Sequence, residues 1–465
     1  MDSSRPNVLV IHGHDIGRYL GCYGVDIETP NVDTLAADGA LFERHFATAP
    51  QCSPSRGSLM TGRAPHVNGL MGLAHGDWEL HDDERILPQY LSDAGYETHL
   101  FGLQHITQNT DRLEYDRVHS EGNLYPGVSP AVHQANRARN VASVVSSFLD
   151  ASEYEEPFFA SIGFFECHRA EEDDGRFGFD AEYYEADDPD DVRPLPYLPD
   201  RRGLRHDLGE MHGMMYAFDA GVGAILDALA ENGLEDDTLV LVTTEHGIAF
   251  PRAKGTCYDA GIEAALVMRY PGVIDADERY DELVSNVDVL PTVLDLADVE
   301  IPDRVDGRSV AGLISDRGDT PTESEGTSAD PGDAYTERDR IFAEMTWHDM
   351  YNPVRAIRTD RYKYIRSFWH LPTVYLPADV FASESGREVR ETDGVPLRRY
   401  EELYDLRDAP QEDDNVVYEP RYQDVRQELS RELYEWMDDT DDPLLEGPVL
   451  PGDYDEIQSW PHESS

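Results

Sequence analysis

The chain has 465 residues, of which 94 are acidic and 38 are basic, and its formal net charge is −56. A surface this acidic repels nucleic acid and anionic lipid, so we expect neither a nucleic acid nor a membrane as a partner. Hydrophobic residues make up 40% and aromatic residues 10% of the chain, which is enough for a packed core and argues against an acidic disordered protein. The length predicts two domains.

Lysine is nearly missing from the chain, which has only Lys254 and Lys363. Many carboxylates with so few lysines indicate a high-salt cytosol, where salt screens self-repulsion. The first six residues lead directly into a strand-like run, and no stretch approaches the roughly 20 apolar residues of a membrane span. Four scattered cysteines do not suggest a disulfide framework. We therefore expect a cytoplasmic protein, with non-classical export left open.

Short apolar runs alternate with helical patterns along the first half of the chain. The predicted strands are Asn7–His12, Glu97–Phe101, Phe158–Phe165 and Leu239–Thr243. The predicted helices are Pro30–Gly39, Leu87–Gly95, Asn136–Leu149 and Gly209–Asn232. This alternation predicts an α/β fold in which helices cover both faces of a mostly parallel sheet.

The rest of the chain follows a different pattern. Residues 173–207, rich in Asp, Pro, Tyr and Arg, are predicted to form an irregular insertion over the functional face, and the polar tract 316–339 an acidic linker or exposed loop. The later predicted elements are the strands Arg340–Met345, Val354–Thr359 and Tyr362–Phe368 and the helix Tyr422–Trp436. We thus predict an N-terminal domain over residues 1–315 and an α+β C-terminal subdomain, with a small antiparallel sheet, over residues 340–465.

Cys52 opens the most informative run of the chain, which continues through Pro54, Arg56 and Thr61 to Arg63. Proline suits the first turn of a helix, so the thiol is predicted to lie at a helix entry. A helix N-terminus offers free N–H groups and a positive dipole, and the two arginines add fixed charge. The run therefore predicts a reactive side chain that faces an oxyanion.

Polar side chains also follow each predicted strand of the sheet. In α/β sheets the ligand site lies beyond the carboxyl ends of the strands, so these residues are predicted to converge there. A lone histidine is more often structural, but four clusters after four strands are harder to dismiss. The clusters are His12, His14 and Asp15; His105; Glu166 and His168; and Glu245 and His246.

The run from Cys52 resembles the sulfatase family, in which Cys-x-Pro-x-Arg is the substrate of a modifying enzyme that oxidises the cysteine to formylglycine. Thr61-Gly62-Arg63 follows in the same phase. Within the family the chain looks most like N-sulfoglucosamine sulfohydrolases and their microbial relatives. The stretches that carry this resemblance are His66–Leu73, Phe164–Arg169, Gly247–Pro251, Glu402–Arg407 and Asp441–Pro443.

The resemblance implies an alkaline-phosphatase-like fold and a metal site at the strand ends. The implied ligands of one divalent cation are His14, Asp15, Glu245, His246 and the modified Cys52. The family implies Ca²⁺, but imidazole suits Mn²⁺ or another transition metal better, so the identity of the metal stays open. His14 and Glu245 depart from the commonest family pattern, and His14 has the alternative role of orienting a ligand through its ring N–H.

The resemblance also implies how a sulfate group would be held and cleaved. Arg56 and Lys254 would bind the sulfate oxygens, and His105 or His168 would protonate the departing alcohol or amine. Leu103 stands where the family usually has a further lysine. The candidates to replace that cation are Arg169, Arg252 and Gln104.

The implied function is hydrolysis of a sulfate ester or sulfamate of a small saccharide, with a formylglycine-generating enzyme as maturation partner. The candidate substrate contacts are His66, Asn68, His75, Asp77, His348 and Arg355, each of which is equally compatible with an ordinary polar loop residue. Two alternatives stay open. One is a phosphate or phosphonate ester hydrolase on the same scaffold, and the other is a non-catalytic, sulfatase-like binding protein.

Overall fold

The structure is a computed structural model that describes residues 5–119, 130–151, 156–172, 175–315, 335–392 and 396–451. Its main feature is an eight-stranded sheet, which is mostly parallel. Across the sheet the strands are Glu278–Tyr280, Ala40–Phe42, Leu266–Arg269, Thr238–Thr244, Asn7–Gly13, Phe158–Gly163, Glu97–Gly102 and Arg117–Val118. Leu266–Arg269 alone among them runs antiparallel to both of its neighbours.

The central strand Asn7–Gly13 explains why the sheet is covered on both sides. All seven of its residues are buried, as expected for a strand between two helical layers. Leu9 and Ile11 belong to one hydrophobic core, and Val8 and Val10 belong to the core on the opposite face. Alternate side chains of a strand point to opposite faces, so one apolar run contributes to both cores.

Helices form the two layers that cover the sheet. Pro30–Ala37, Ala138–Ala151 and Arg202–Glu231 contribute to the core that contains Leu9, and Cys52–Thr61, Leu87–Asp93 and Val289–Leu296 to the core that contains Val8. The remaining α-helices are Pro65–Asn68, Pro130–Ala135, Asp259–Ile262, Ala311–Ile314, Ala378–Phe381, Glu384–Thr392 and Gln423–Asp439. The predicted α/β class with helices on both faces is therefore confirmed.

A second sheet of four antiparallel strands lies in the C-terminal part of the chain. Its strands are Arg340–Trp347, Tyr351–Thr359, Tyr362–Ser367 and Glu401–Asp405. The first three were predicted and the fourth was not. The helix Gln423–Asp439 packs on this sheet through Leu429 and Leu433. The domain boundaries stay a prediction, because residues 316–334 of the predicted linker lie outside the described residues.

The predicted insertion over residues 173–207 is irregular only in part. Residues 173–174 lie outside the described residues, the stretch up to Arg201 has little regular structure, and from there the long helix Arg202–Glu231 begins. That helix starts seven residues earlier than predicted. By length and composition it could cross a membrane, which the sequence analysis overlooked, but 61% of its most apolar window is buried in the fold. It is therefore typical of a core helix.

Candidate active site

Two neighbouring parallel strands bring the first pair of clusters together. Asn7–Gly13 and Thr238–Thr244 pair in register, with Gly13 opposite Thr244. The residues that follow are therefore neighbours as well, and the Asp15 backbone N–H donates to Glu245 Oε1 at 3.1 Å. This register is the reason that His14 and Asp15, so distant in sequence from Glu245, meet it at one edge of the sheet.

Cys52 is the first residue of the helix Cys52–Thr61, as the sequence predicted, and all ten residues of that helix are buried. Its Sγ lies 3.4 Å from His246 Nε2 and 3.9 Å from Asp15 Oδ1. Burial raises the pKa of the Cys52 thiol well above its usual range, although Lys254 opposes this. An unmodified Cys52 is therefore a neutral thiol at neutral pH and a poor nucleophile.

His14 is the residue whose surroundings indicate a metal ion. Its Nδ1 lies 2.9 Å from Glu245 Oε1 and 3.3 Å from Asp15 Oδ1, yet neither ring nitrogen makes a hydrogen bond of acceptable geometry. The ring is fully buried, so two unsatisfied nitrogens beside two carboxylates are costly. Donor atoms of His14, Asp15, Cys52 and Glu245 all lie within 4.8 Å of one another.

Glu245 and Asp15 raise the pKa of His14 against its burial, so without a metal ion they favour a proton on this ring. These residues fit a divalent cation, which would take the place of that proton and offset the carboxylate charge. Burial raises the pKa of the Asp15 and Glu245 carboxyl groups, but nearby positive charge lowers both below the usual range. Lys254 and His14 lower the pKa of Asp15, and His14 and Arg56 lower that of Glu245. Both side chains are therefore anionic at neutral pH. A set of carboxylate oxygens with imidazole nitrogens suits Mn²⁺ or a related transition metal as well as Ca²⁺.

Two cations stand next to this cluster. The Arg56 guanidinium lies 3.3 Å from Glu245 Oε2 and also donates to the Gly13 carbonyl at 3.2 Å. Lys254 Nζ donates to Asp15 Oδ2 and to Asp379 Oδ2, each at 2.7 Å. Burial opposes the charge on Lys254, but its two carboxylate partners raise its pKa well above its usual range. The ammonium is therefore permanently charged and keeps one donor for another ligand.

The sequence analysis missed Asp379, which the helix Ala378–Phe381 of the C-terminal part brings to the site. This carboxylate holds Lys254 together with Asp15, and one oxygen of each lies within 4.8 Å of the other and of a ring nitrogen of His168. Two further residues were missed: Ser55 Oγ donates to the Glu245 carbonyl, and Asn286 Nδ2 donates to Ser55 Oγ at 2.5 Å. The one sequence signal for such a partner was the rarity of lysine, which gives Lys254 a specific role. A lysine that is buried needs carboxylate partners, and Asp379 is one of them.

Two of the predicted histidines lie close to His14. The His14 ring contacts His168 edge-on, with 4.7 Å between centroids, and lies 6.0 Å from the His105 ring. His168 Nδ1 donates to its neighbour's carbonyl, Arg169 O, at 2.5 Å, and its Nε2 lies 4.0 Å from Asp15 Oδ2. Burial lowers the pKa of His105 and of His168 well below the usual range, so both rings are neutral when the site is empty of substrate.

The backbone at this edge is strained at two functional positions. Asp15 has φ of +54° and His105 has φ of +58°, which is the left-handed region that non-glycine residues avoid. Such a conformation costs about 1–3 kcal/mol per residue and persists where the surroundings enforce it. Both residues turn sharply after a strand, which directs their side chains toward Cys52.

Other polar residues from the strand-end clusters do not join the site. The Glu166 carboxylate accepts the backbone N–H of Ala138 at 2.8 Å and the Tyr184 hydroxyl at 2.6 Å, so it caps a helix. His12 is the last but one residue of its strand, and burial together with Arg56 lowers its pKa to about 3. Glu166 therefore supports the loop after its strand, and His12 interacts with Arg56 and Glu245 through charge.

The three candidates to replace the lysine lost at Leu103 are all engaged elsewhere. Arg169 donates to Asp207 Oδ2 at 2.8 Å and to the Ala249 carbonyl. Arg252 donates to three backbone carbonyls, of which Glu412 O is nearest at 2.9 Å. Gln104 closes its own loop by donating to Thr107 O at 2.7 Å. None of these three side chains is therefore placed to bind an oxyanion at Cys52.

The proposed substrate contacts fall into two groups. His66, Asn68 and Arg355 have buried side chains that bind other protein groups: Thr440 Oγ1 with His66, Thr61 Oγ1 with Asn68, and Asp442 with Arg355. The structure does not bring these three to Cys52. In the second group, His348 acts electrostatically on Asp379, His75 contacts His105 and Asp77 is exposed. The substrate roles stay predictions.

A family model described as Sulfatase matches residues 6–299 of the chain. The chain belongs to the sulfatase family. A second model, described as the C-terminal part of N-sulphoglucosamine sulphohydrolase, matches residues 245–376. The family predicted from Cys52 and the strand-end clusters is therefore confirmed, and with it the prediction that the chain is a sulfuric ester hydrolase.

Relatives with whole-length similarity lie in the same family. Human N-sulphoglucosamine sulphohydrolase is 28% identical, over 96% of this chain and 92% of its own length. An ulvan-active sulfatase of Formosa agariphila is 26% identical, over 96% and 83%. A structure solved in complex with its substrate D-glucosamine-2-N,6-O-disulfate has a TM-score of 0.69 at 18% identity, over 94% of this chain and 99% of that one. This last similarity supports the alkaline-phosphatase-like fold.

Proposed function

We propose that this sulfatase hydrolyses a sulfate ester or sulfamate of a sugar, using a formylglycine formed from Cys52 and one divalent cation. The observation that carries the proposal is the position of Cys52. It begins a buried helix, its sulfur touches Asp15 and His246, and its own thiol is too weakly acidic to act as a nucleophile. Conversion of this thiol to an aldehyde by a formylglycine-generating enzyme would give the position a reactive group.

The aldehyde and the cation would each supply a defined chemistry. The hydrated aldehyde would provide a nucleophilic oxygen. The cation would be held by His14, Asp15, Glu245 and His246 and would act as a Lewis acid. Arg56 and Lys254 would hold the sulfate oxygens, where negative charge is concentrated. His105 or His168 would give a proton to the leaving oxygen or nitrogen, after the negative charge of a bound sulfate group has favoured the protonated ring.

The substrate class follows from the relatives and from the location that the sequence predicts. One relative is named for N-sulphoglucosamine and another for ulvan, and a similar structure holds a glucosamine disulfate. We propose a sulfated mono- or oligosaccharide, because a protein that acts in a high-salt cytoplasm meets fragments rather than intact polymers. Calcium or manganese is the proposed cation.

Parallel assays test the proposal. Protein purified from its native host, in high salt, is given an aryl sulfate, N-sulfoglucosamine and an aryl phosphate at matched concentrations. We expect turnover of one or both sulfur substrates and little turnover of the phosphate. Preference for the phosphate would favour the phosphate hydrolase, and failure to turn over any of the three would favour a sulfate-binding protein.

A further inference from the structure

We propose that the exposed ring of Trp369 binds an uncharged sugar unit linked to the sulfated one, so that the preferred substrate is at least a disaccharide. This inference rests on the proposed sulfatase function. Its starting point is exposure: Trp369 is 48% exposed, whereas Trp78, Trp347 and Trp436 are buried or half-buried in the described structure. A single exposed ring needs no explanation by itself, so its position relative to the site decides what it means.

The hairpin turn at residues 348–350 is attached to the nucleophile side of the active site. Gln51, which directly precedes Cys52, is fully buried and donates from Nε2 to the Trp347 carbonyl at 2.5 Å. The Trp347 backbone N–H in turn donates to the Met71 carbonyl at 3.2 Å. The start of the turn is therefore fixed beside the helix entry that carries the nucleophile.

The same turn is attached to the cation side of the site. The Asp349 carboxylate accepts the Ala378 backbone N–H at 2.6 Å. Ala378 begins the short helix whose next residue, Asp379, holds Lys254 Nζ at 2.7 Å. The turn is thus tied both to the nucleophile and to a cation that would bind sulfate, and it forms part of the rim of the site.

A series of aromatic rings leads from this turn to the surface. The rings of Trp347 and Tyr351 lie 5.3 Å apart between centroids, and those of Tyr351 and Trp369 lie 5.5 Å apart. Trp347 and Tyr351 are half-buried, so exposure rises along the series toward Trp369. Met350, in the turn itself, is 41% exposed. Apolar surface therefore continues outward from the rim of the site.

The chemistry of this surface fits the face of a sugar ring. A pyranose presents C–H groups on its faces, and their partial positive charge matches the negative face of an indole ring. The bound unit is uncharged because the turn holds the partly exposed carboxylate of Asp349 and the whole chain carries a net charge of −56. A second sulfate or a carboxylate on this unit would be repelled there.

The test compares a monosaccharide with a disaccharide on wild type and on Trp369→Ala. One substrate is the methyl glycoside of N-sulfoglucosamine, or of glucosamine 6-sulfate if the enzyme prefers an ester. The other is the same sulfated sugar linked 1,4 to an uncharged glucose. A contact with a remote sugar unit is equal in the ground state and the transition state, so it changes KM rather than kcat.

We expect the wild-type KM to be ~3- to 10-fold lower for the disaccharide, which is the usual range for one stacked ring. Trp369→Ala should remove this advantage and keep kcat and KM for the methyl glycoside within ~2-fold of wild type. Trp369→Phe keeps an aromatic face and should keep most of the advantage.

Tyr418→Ala is the matched control. Tyr418 lies in the same C-terminal part and is 71% exposed, but no hydrogen bond or ring contact joins it to the turn at residues 348–350 in the described structure. This variant should keep the full preference for the disaccharide.

The inference would be overturned by a wild type without preference for the disaccharide, by a preference that survives in Trp369→Ala, or by equal losses on the two substrates. A stronger preference for a disaccharide whose second unit is glucuronic acid would overturn the claim that this unit is uncharged. A dimer in solution that Trp369→Ala dissociates would assign the ring to a second copy of the chain instead. A wild type inactive on every sulfur substrate would contradict the proposed function itself.

Discussion

Two buried clusters of histidine and carboxylates differ in how the two ring nitrogens of their histidine are paired. In the cluster of His66, Glu344, Arg355 and Asp442, His66 contacts Glu344 and Thr440 through its two nitrogens, and Arg355 donates to both Asp442 oxygens, at 2.6 and 3.0 Å. In the cluster around His14, Nδ1 lies 2.9 Å from Glu245 Oε1 without a hydrogen bond of acceptable geometry, and Nε2 has no partner in the described structure.

The comparison shows what separates a structural cluster from a site. Both sets have ligating atoms close enough together to suggest a metal, so proximity alone does not distinguish them. In the His66 cluster the guanidinium of Arg355 already supplies the positive charge, and the contacts join the N-terminal part of the chain to its C-terminal part. The His14 cluster also has its own cations, Arg56 and Lys254. It differs in the buried His14 Nε2, which has no hydrogen-bond partner in the described structure and fits a bound cation.

The largest effect is expected from the nucleophile. Cys52→Ala should reduce kcat on the preferred sulfur substrate by a thousandfold or more, on the order of the loss seen when other enzymes lose a nucleophile. The midpoint of thermal unfolding should change little, because alanine fits the same helix position. Cys22→Ala, which removes a half-buried cysteine outside the site, should keep full activity. Substantial residual turnover by Cys52→Ala would disprove the covalent scheme.

Metal content separates the two clusters directly. Purified active protein should hold about one divalent ion per chain, as measured by elemental analysis. Asp15→Ala should lose that ion and at least ~100-fold in kcat, since it removes a carboxylate that faces His14 and Cys52. His66→Ala should keep the ion. Metal retained in Asp15→Ala, or lost in His66→Ala, would indicate that the ion binds in the His66 cluster and would contradict a metal site at His14.

A smaller loss is expected at Asp379. Asp379→Asn releases one of the two carboxylates that hold Lys254, so kcat/KM for a sulfate ester should fall ~10-fold because the ammonium is less well placed. Asp349→Asn is the matched control, because Asp349 accepts the Ala378 N–H of the same helix and has no ion pair with Lys254 in the described structure. Equal losses in the two variants would mean that the helix, not the ion pair, matters.

The same ion pair predicts a pH dependence of stability. Burial opposes ionisation of Asp379, but Lys254 lowers its pKa from the ordinary 3.8 to about 2. A depressed carboxyl pKa stabilises the fold above the unfolded value, and this contribution is lost as pH falls through the folded value. Asp379→Asn should therefore be less stable than wild type near pH 7, with a difference that shrinks between pH 3.8 and about 2 in denaturant titrations. A constant difference would contradict the pairing.

The smallest change in activity is expected in the structural cluster. His66→Ala removes contacts with Glu344 and Thr440 and should lower the free energy of unfolding by about 2 kcal/mol, the usual loss for a buried hydrogen bond to a charged group. The kcat of the folded fraction should stay within ~2-fold of wild type. A large fall in kcat at unchanged stability would instead indicate that His66 contacts the substrate.

Much of this organisation was predictable because parallel strands end at one edge. Asp15, Glu245 and His105 follow strands that are adjacent or nearly so, and their convergence needs no knowledge of loops. The strand Glu401–Asp405 was missed because its charged residues obscure the alternation, although Leu403 and Tyr404 are buried.

What could not be predicted depends on contacts between distant segments. Asp379 meets Lys254 because the C-terminal part packs on the carboxyl edge of the main sheet, which no local pattern reports. Arg169 looked free to bind an oxyanion because its partner Asp207 lies on a helix that starts earlier than predicted. Pairing of a buried charge is a property of the fold, and sequence spacing does not fix it.

The most direct test of the central claim is the mass of the peptide that contains Cys52, taken from protein expressed in its native host. The account predicts the mass in which –CH₂SH has become –CHO, together with its hydrate, and trapping of that aldehyde by a hydrazide. A peptide that carries only the unmodified thiol, in protein that turns over a sulfate ester or sulfamate, would contradict it.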